Sequence, residues 1–211
     1  MKNKRVVIIS GGKIEDYNYI KNQIGRFKPD MIICADSGYN HAVKMDLKAD
    51  LVVGDFDSLE AGMISESIKT VHFPARKNLT DSEIALLQAR EAGAREVLFI
   101  GATGSRADHS LTNIFMLKSC LSHGITAEIT DEHNRIKITE SEIVLTGEAG
   151  DIISLVPLCD CAGVSTEGLE YPLENAELKL GEGRGVSNIM LGEKARVSLR
   201  EGTLLVIAAR D

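Results

Sequence analysis

The sequence contains no tryptophan, and aromatic residues make up only 4% of its 211 positions. Its core must therefore be built mainly from aliphatic side chains. No stretch approaches the ~18 consecutive apolar residues of a membrane-crossing helix. The apolar run that follows the basic N-terminal residues, Val6 to Ile9, is too short for the hydrophobic part of a signal peptide. These features predict a cytoplasmic protein with no membrane partner. Clusters of Lys and Arg are missing as well, and the formal net charge is −7, which argues against a DNA or RNA surface. An anionic small substrate would then need local help from Arg, Lys, backbone N–H groups or a metal.

Two common nucleotide-binding signatures are absent. There is no GxxxxGK[ST] segment, and no GxGxxG follows a predicted strand and opens a helix. Cysteine is scarce, with Cys34, Cys120, Cys159 and Cys161. Cys159-Asp160-Cys161 lacks the further ligands at suitable spacing that a zinc site needs, so the four read as reduced thiols.

What is present is a regular alternation over the first ~130 residues, a length in keeping with one domain of a two-domain chain. Short β-rich runs are expected at Arg5–Ile9, Asp30–Ala35, Asp50–Val53, Thr70–Phe73, Glu96–Ile100 and Ile125–Thr130. Helical patterns intervene near Asp16–Phe27, Tyr39–Met45, Asp81–Ala92 and Asp108–His123. Thr80 with Glu83 forms a capping-box pattern, and Gly93 and Gly124 suit helix exits. This βαβα rhythm predicts an α/β domain, residues 1–131, with a mostly parallel sheet covered by helices on both faces. The pattern then changes. Residues 132–211 carry short alternating runs punctuated by glycines, with strands expected at Arg135–Ile138, Glu142–Leu145, Ile152–Leu155, Ala176–Leu178, Gly185–Leu191, Ala195–Leu199 and Leu204–Ala208. Seven short strands predict a small all-β antiparallel sandwich or barrel domain.

Ligands of open parallel sheets bind at the carboxyl ends of the strands, and here the polar residues gather at those ends. Ser10-Gly11-Gly12 follows the first strand, Asp36-Ser37-Gly38 the second and Asp55-Phe56-Asp57-Ser58 the third. Arg76-Lys77-Asn78-Leu79-Thr80-Asp81 follows the fourth, and Gly101-Ala102-Thr103-Gly104-Ser105-Arg106-Ala107-Asp108-His109 the fifth. If the extended backbone persists through Asp57, the side chains of Asp55 and Asp57 share a face and need a compensating cation. Taken singly, Asp36-Ser37 and Asp108 also read as helix caps, and Asp81 as an acidic residue favoured by a helix N-terminus. Together, carboxylates, Arg, Lys and glycine-rich loops at one sheet edge read as a Mg²⁺–polyphosphate site, since Mg²⁺ combines one or two carboxylates with phosphate oxygens.

Six segments carry a resemblance. ADSGYN (35–40), VVGDFDS (52–58), TDSEIAL (80–86), GATGSRADHSLTN (101–113), YPLENAEL (171–178) and GRGVSNIM (183–190), in this order, resemble the thiamine pyrophosphokinase family. The resemblance spans nearly the whole chain. It implies transfer of the pyrophosphoryl group of ATP to the thiamine hydroxyl, with AMP as the second product. It further implies that Asp36, Asp55, Asp57 and Asp81 surround Mg²⁺ and the polyphosphate, with Asp55, Asp57 and Asp81 as metal ligands. Arg106 joins these three as a catalytic residue. Ser37, Lys77, Thr80, Gly104, Ser105, Asp108 and His109 belong to the nucleotide side, and Ser187 and Asn188 to the thiamine side. The implied assembly is a homodimer with thiamine held between the α/β domain of one subunit and the β domain of the other. One departure is Asn78, where many relatives carry an acidic residue.

Two other readings of the same residues exist. The apolar strand followed by DFDS also resembles haloacid-dehalogenase-type phosphatases, in which Asp55 would be the nucleophile. That motif normally ends the first strand, whereas here it ends the third. A non-catalytic nucleotide or thiamine sensor on the same fold is the other.

Overall fold

The computed structural model describes residues 3–56, 64–65, 68–72 and 79–210. The chain divides into two compact units, residues 1–132 and 133–211.

Among the described residues the first unit is built on six parallel strands: β1 (Lys4–Ile9), β2 (Met31–Ala35), β3 (Leu51–Gly54), β4 (Lys69–His72), β5 (Ala94–Ile100) and β6 (Thr126–Thr130). Their spatial order is β6-β5-β1-β2-β3-β4. Four helices connect them: α1 (Tyr17–Phe27), α2 (Gly38–Lys44), α3 (Asp81–Glu91) and α4 (Ala107–Ser122). The central strands β1, β2, β3 and β5 are apolar on both faces over most of their length because both faces are covered, whereas β4 at the edge is polar and largely exposed. Val7, Ile9, Cys34, Val52, Leu98 and Ile100 point to one side, where they pack with Ile20 and Ile24 of α1 and Tyr39 and Ala42 of α2. The alternate residues, Val6, Ile8, Ile33, Val53 and Phe99, are equally buried, and α3 and α4 lie against β2, β5 and β6. Among the described residues Phe99 is the single large aromatic in the fully buried set, in keeping with an aliphatic core.

The α3 start is determined locally. The Thr80 hydroxyl accepts from the Glu83 N–H, and the Glu83 carboxylate accepts from the Thr80 N–H at 2.7 Å, closing the capping box. Gly93 and Gly124 take positive φ, 84° and 67°, where α3 and α4 give way to β5 and β6. The Phe73 end of the fourth predicted strand lies outside the described residues.

The second unit consists of two antiparallel sheets. One has the order β12-β9-β14-β7, from β7 (Asn134–Thr139), β9 (Ile152–Pro157), β12 (Asn188–Ile189) and β14 (Leu204–Ala209). The other has the order β11-β10-β13-β8, from β8 (Glu142–Thr146), β10 (Cys161–Glu167), β11 (Ala176–Leu178) and β13 (Lys194–Ser198). Leu155, Val164, Leu178, Val197 and Leu204 meet in the core between them. Two details differ from the sequence reading. β10 is an eighth strand, hidden because the segment following Asp160 is small and polar in alternation. The run expected at Gly185–Leu191 forms only the two-residue β12, since Ser187 takes φ 58° and breaks the extended backbone.

All four cysteines are free. Burial pushes the thiols of Cys34 and Cys120 up to about 12, so they remain protonated apolar fillers.

Candidate functional site

In the first unit the chain runs from β1 outward to β4 and then crosses back to β5 on the other side of β1. The strand order therefore reverses between β1 and β5, which is where open parallel sheets hold their ligands. A cleft of about 570 Å³ opens at these strand ends.

The cleft is formed by loops that approach too closely for any side chain but hydrogen. The β1–β5 ladder continues past the strands, with the Ser10 N–H on the Ile100 carbonyl and the Gly12 N–H on the Gly101 carbonyl, each at 2.8 Å. A Cβ on Gly12 would stand 2.3 Å from the Thr103 carbonyl oxygen, and one on Gly38 2.0 Å from the Ile9 carbonyl oxygen. These glycines let three loops share one small space. Side chains then tie the loops to the scaffold. The Ser10 and Ser82 hydroxyls are 2.9 Å apart in a buried pair, the Asn113 amide donates to the Ala102 carbonyl at 2.7 Å, and Thr103 donates to Asp131 at 2.7 Å.

Nine of the residues expected from the sequence line this cleft. Asp36, Ser37, Thr80 and Asp81 enter from β2 and α3; Gly104, Ser105, Arg106, Asp108 and His109 come from the β5–α4 loop and the first turns of α4. The cap readings hold only in part, since Ser37 stands at the N-cap position of α2. It makes no side-chain cap bond there, and Asp108 lies within the first turn of α4, not at its cap. Asp36 takes φ 46°, and among the described residues its buried Oδ1 has no hydrogen-bond partner. Such an oxygen calls for a donor or a cation.

Arg106 and Asp108 form a two-point ion pair, with Nε 3.2 Å from Oδ1 and Nη2 2.7 Å from Oδ2. The Arg106 guanidinium, helped by the His109 N–H, pulls the Asp108 carboxyl down to about 2. Both side chains are about two-thirds exposed, so water screens the pair and its opening costs little.

Asp55 follows Gly54 at the end of β3 and is half-buried, but it does not line the cleft. Gly54 packs against Asp36. Phe56 adopts φ 63°, so the extended backbone does not continue through the DFDS segment. The argument that Asp55 and Asp57 share a strand face therefore lapses at Phe56. Asp57, Lys77 and Asn78 lie outside the described residues. Among the described residues no three His, Cys, Asp or Glu side chains gather closely enough to form a metal cage. The donor set still fits Mg²⁺, which takes few protein carboxylates beside phosphate and water, and the orphaned Asp36 oxygen is of the required hard kind.

Ser187 and Asn188 belong to the second unit. Ser187 is exposed, and its N–H donates to the Ser154 hydroxyl at 3.0 Å. Asn188 is buried. Its amide nitrogen donates to the Tyr171 carbonyl at 2.7 Å, and its oxygen accepts from the N–H groups of Tyr171 and Ile189. Its side chain is thus a clamp on the exposed Tyr171.

The sequence reading assigned no role to Ser82, Asn113 or His41. Ser82 and Asn113 stand inside quoted motifs, TDSEIAL and GATGSRADHSLTN, yet nothing in their spacing announces which distant group each holds. His41 follows ADSGYN and joins residues 24 and 29 positions away.

Known proteins are similar to this chain in sequence and fold. Residues 27–129 match the family described as "Thiamin pyrophosphokinase, catalytic domain", and residues 133–204 match "Thiamin pyrophosphokinase, vitamin B1 binding domain". The thiamine pyrophosphokinase of Bacillus subtilis is 31% identical over 166 residues, which cover 75% of this chain and 77% of that protein. The chain belongs to the thiamine pyrophosphokinase family. It is an enzyme, a thiamine diphosphokinase, which transfers the pyrophosphoryl group of ATP to the thiamine hydroxyl and releases AMP. In fold it resembles the crystal structure of a Bacillus subtilis thiamine pyrophosphokinase, with TM-score 0.88, 24% identity and coverage of 99% of this chain and 100% of that one. A thiamin pyrophosphokinase family protein from Enterococcus faecalis gives TM-score 0.83, 26% identity and coverage of 99% and 100%. The family places the DFDS motif in a diphosphokinase, not in a phosphatase with Asp55 as nucleophile.

Proposed function

We propose that pyrophosphoryl transfer takes place in the cleft at the carboxyl ends of β1, β2 and β5, with the nucleotide polyphosphate against the glycine-rich loops. The observation that carries this reading is the meeting, in one cleft, of Gly12, Asp36, Asp81, Gly104 and Arg106 from four separate segments. Backbone N–H groups at such loops attract phosphate oxygens. Mg²⁺, when bound with ATP, would be held by Asp81 with Asp55 and Asp57, would have Asp36 beside it, and would neutralise charge that these carboxylates otherwise repel.

The protein's own groups do the rest by positioning. The thiamine hydroxyl attacks the β-phosphorus of ATP. The bond from that phosphorus to the oxygen bridging to the α-phosphorus breaks, and AMP leaves with the bridging oxygen. A carboxylate near the attacking hydroxyl, Asp81 or Asp57, takes its proton, a role worth ~10²–10⁴-fold. Arg106 exchanges Asp108 for a phosphate oxygen, a cheap swap because the pair is exposed. Ser37, Thr80, Ser105 and His109 complete the nucleotide side, and Lys77 is assigned there as well. On the thiamine side, Ser187 offers its exposed hydroxyl to the substrate, and Asn188 shapes the site through its grip on Tyr171. The first unit is thereby the nucleotide and Mg²⁺ domain and the second the thiamine-binding and dimerisation domain of a homodimer with thiamine between subunits. The four free cysteines support a reducing, cytoplasmic setting.

Incubation with ATP, Mg²⁺ and thiamine should give AMP and thiamine diphosphate in equal amounts. Asp81→Asn should abolish most of that turnover while the protein stays folded. Near-normal turnover by Asp81→Asn and Asp36→Asn alike would move the site elsewhere. Tight binding of both ligands without products would favour a sensor.

A further inference from the structure

His41 belongs to none of the roles assigned above, yet both of its ring nitrogens are engaged. Nε2 lies 2.8 Å from the Gly12 carbonyl oxygen, and Nδ1 lies 2.9 Å from the Tyr17 hydroxyl. A carbonyl can only accept, so Nε2 carries the proton and Nδ1 accepts from the Tyr17 O–H. Burial lowers the pKa of His41, which favours this neutral form. The Tyr17 ring is tilted against the imidazole with centroids 5.7 Å apart, and the Lys44 ammonium sits 5.4 Å from the tyrosine ring centroid. The tyrosine is therefore held in turn, from α1 and α2 together.

The carbonyl that His41 holds belongs to a glycine fixed on its other side as well. The Gly12 N–H donates to Gly101, and the Thr103 carbonyl stands where a Gly12 side chain would be. The peptide joining Gly12 to Lys13 is trans, so its C=O and its N–H point in opposite directions. With the C=O turned onto His41, the Lys13 N–H is turned away from α2. Lys13 lines the cleft, and its backbone nitrogen lies 3.5 Å from where a Gly104 Cβ would stand. Among the described residues this N–H has no hydrogen-bond partner. A backbone donor without a partner, beside glycines in a cleft, suits an anionic oxygen.

We propose that His41, oriented by Tyr17, is a positioning residue that presents the Lys13 backbone N–H to the polyphosphate of ATP by holding the Gly12 carbonyl. The proposal rests on the reading of the cleft as the ATP site. His41 itself touches no substrate.

The test is a titration of ¹⁵N-labelled full-length protein with α,β-methylene-ATP and Mg²⁺, followed by steady-state kinetics. In the wild type the Lys13 amide should shift downfield together with the amides of Gly101 and Gly104. In His41→Phe the Gly101 and Gly104 amides should still respond, the Lys13 shift should vanish, and the Kd of the analogue should rise about 10-fold, the loss of one hydrogen bond to a charged acceptor. The KM for ATP should rise with it while the KM for thiamine stays unchanged. His41→Gln, which keeps a donor for the carbonyl, should recover most of the affinity. Tyr17→Phe should give an intermediate loss, and it decides the matter if His41→Phe does not fold. A wild-type Lys13 amide that stays still while Gly101 and Gly104 shift overturns the proposal. So does a His41→Phe protein that loses thermal stability but keeps its KM for ATP. If neither Gly101 nor Gly104 responds in the wild type, the assignment of the cleft to ATP fails, and the role of His41 falls with it.

Discussion

The Ser10 and Ser82 hydroxyls meet 2.9 Å apart, both nearly sealed from water, and join the end of β1 to the first turn of α3. Ser82 is the neighbour of Asp81, so this contact also anchors one of the two carboxylates proposed as general base. Removing either hydroxyl leaves the other buried and unsatisfied, at a cost of about 1–3 kcal/mol. Urea unfolding of Ser82→Ala should show that loss. The Ser10→Ala/Ser82→Ala double variant should lose less than the sum of the single ones, since neither side is then left orphaned. Additive losses would show that the two hydroxyls do not depend on each other.

The Gly38 position should tolerate no side chain. A Cβ there would lie 2.0 Å from the Ile9 carbonyl oxygen, and the obstacle is backbone, which cannot rotate aside. Gly38→Ala should destabilise by about 1–3 kcal/mol or more and shift Asp36 and Ser37 out of place. Thermal melting and the KM for ATP should both move. An unchanged melting temperature would contradict the close approach of β1 and α2.

Thr80→Ala should cost about 1 kcal/mol, because the hydroxyl and the Glu83 carboxylate close the start of α3 reciprocally. Asp81→Asn should behave differently, with turnover reduced by about 10²-fold or more at nearly unchanged stability. Comparing kcat with urea midpoints separates the two neighbours. If both variants lose stability and activity in proportion, Asp81 is part of the cap and not of the chemistry.

Asp108 should titrate near pH 2, with the carboxyl held there by Arg106. Its pKa is depressed in the folded state, so its contribution to stability is present above the ordinary carboxylate range and is lost as pH falls through about 2. Carboxyl NMR should place the midpoint there in the wild type and return it to the ordinary range in Arg106→Gln. Addition of ATP should raise it in the wild type, as Arg106 turns to phosphate. A midpoint indifferent to both changes would exclude that exchange.

Asn188→Ala should unfold more easily, by about 1 kcal/mol, because the buried amide that bonds the Tyr171 backbone at both its N–H and its carbonyl is removed. Ser187→Ala, at an exposed hydroxyl, should leave stability alone and raise the KM for thiamine. Equal stability losses at both positions would argue that neither serves the substrate directly.

Much of this was legible in the residues. The βαβα rhythm, the capping box at Thr80 and Glu83 and the glycine exits at 93 and 124 are local signals, set by periodicity and by the few atoms around one turn. The gathering of Asp36, Asp81 and the 101–109 loop at one sheet edge also followed, because parallel strands bring all their carboxyl ends to one side. β10 escaped notice for want of an apolar run. The pairing of Asp55 and Asp57 depends on an extended backbone through Asp57; Phe56, at φ 63°, does not meet that condition, and Asp57 itself lies outside the described residues.

The sequence by itself therefore determined the layers, the family motifs and the sheet edge at which Asp36, Asp81 and the 101–109 loop gather, since each depends on neighbours along the chain. Only the tertiary structure decided which distant groups meet: Ser10 with Ser82, Asn113 with Ala102, Asn188 with Tyr171, and His41 with Gly12 and Tyr17. Those partners are chosen by hydrogen-bond geometry across packed elements, where a buried donor must find an acceptor regardless of its place in the sequence.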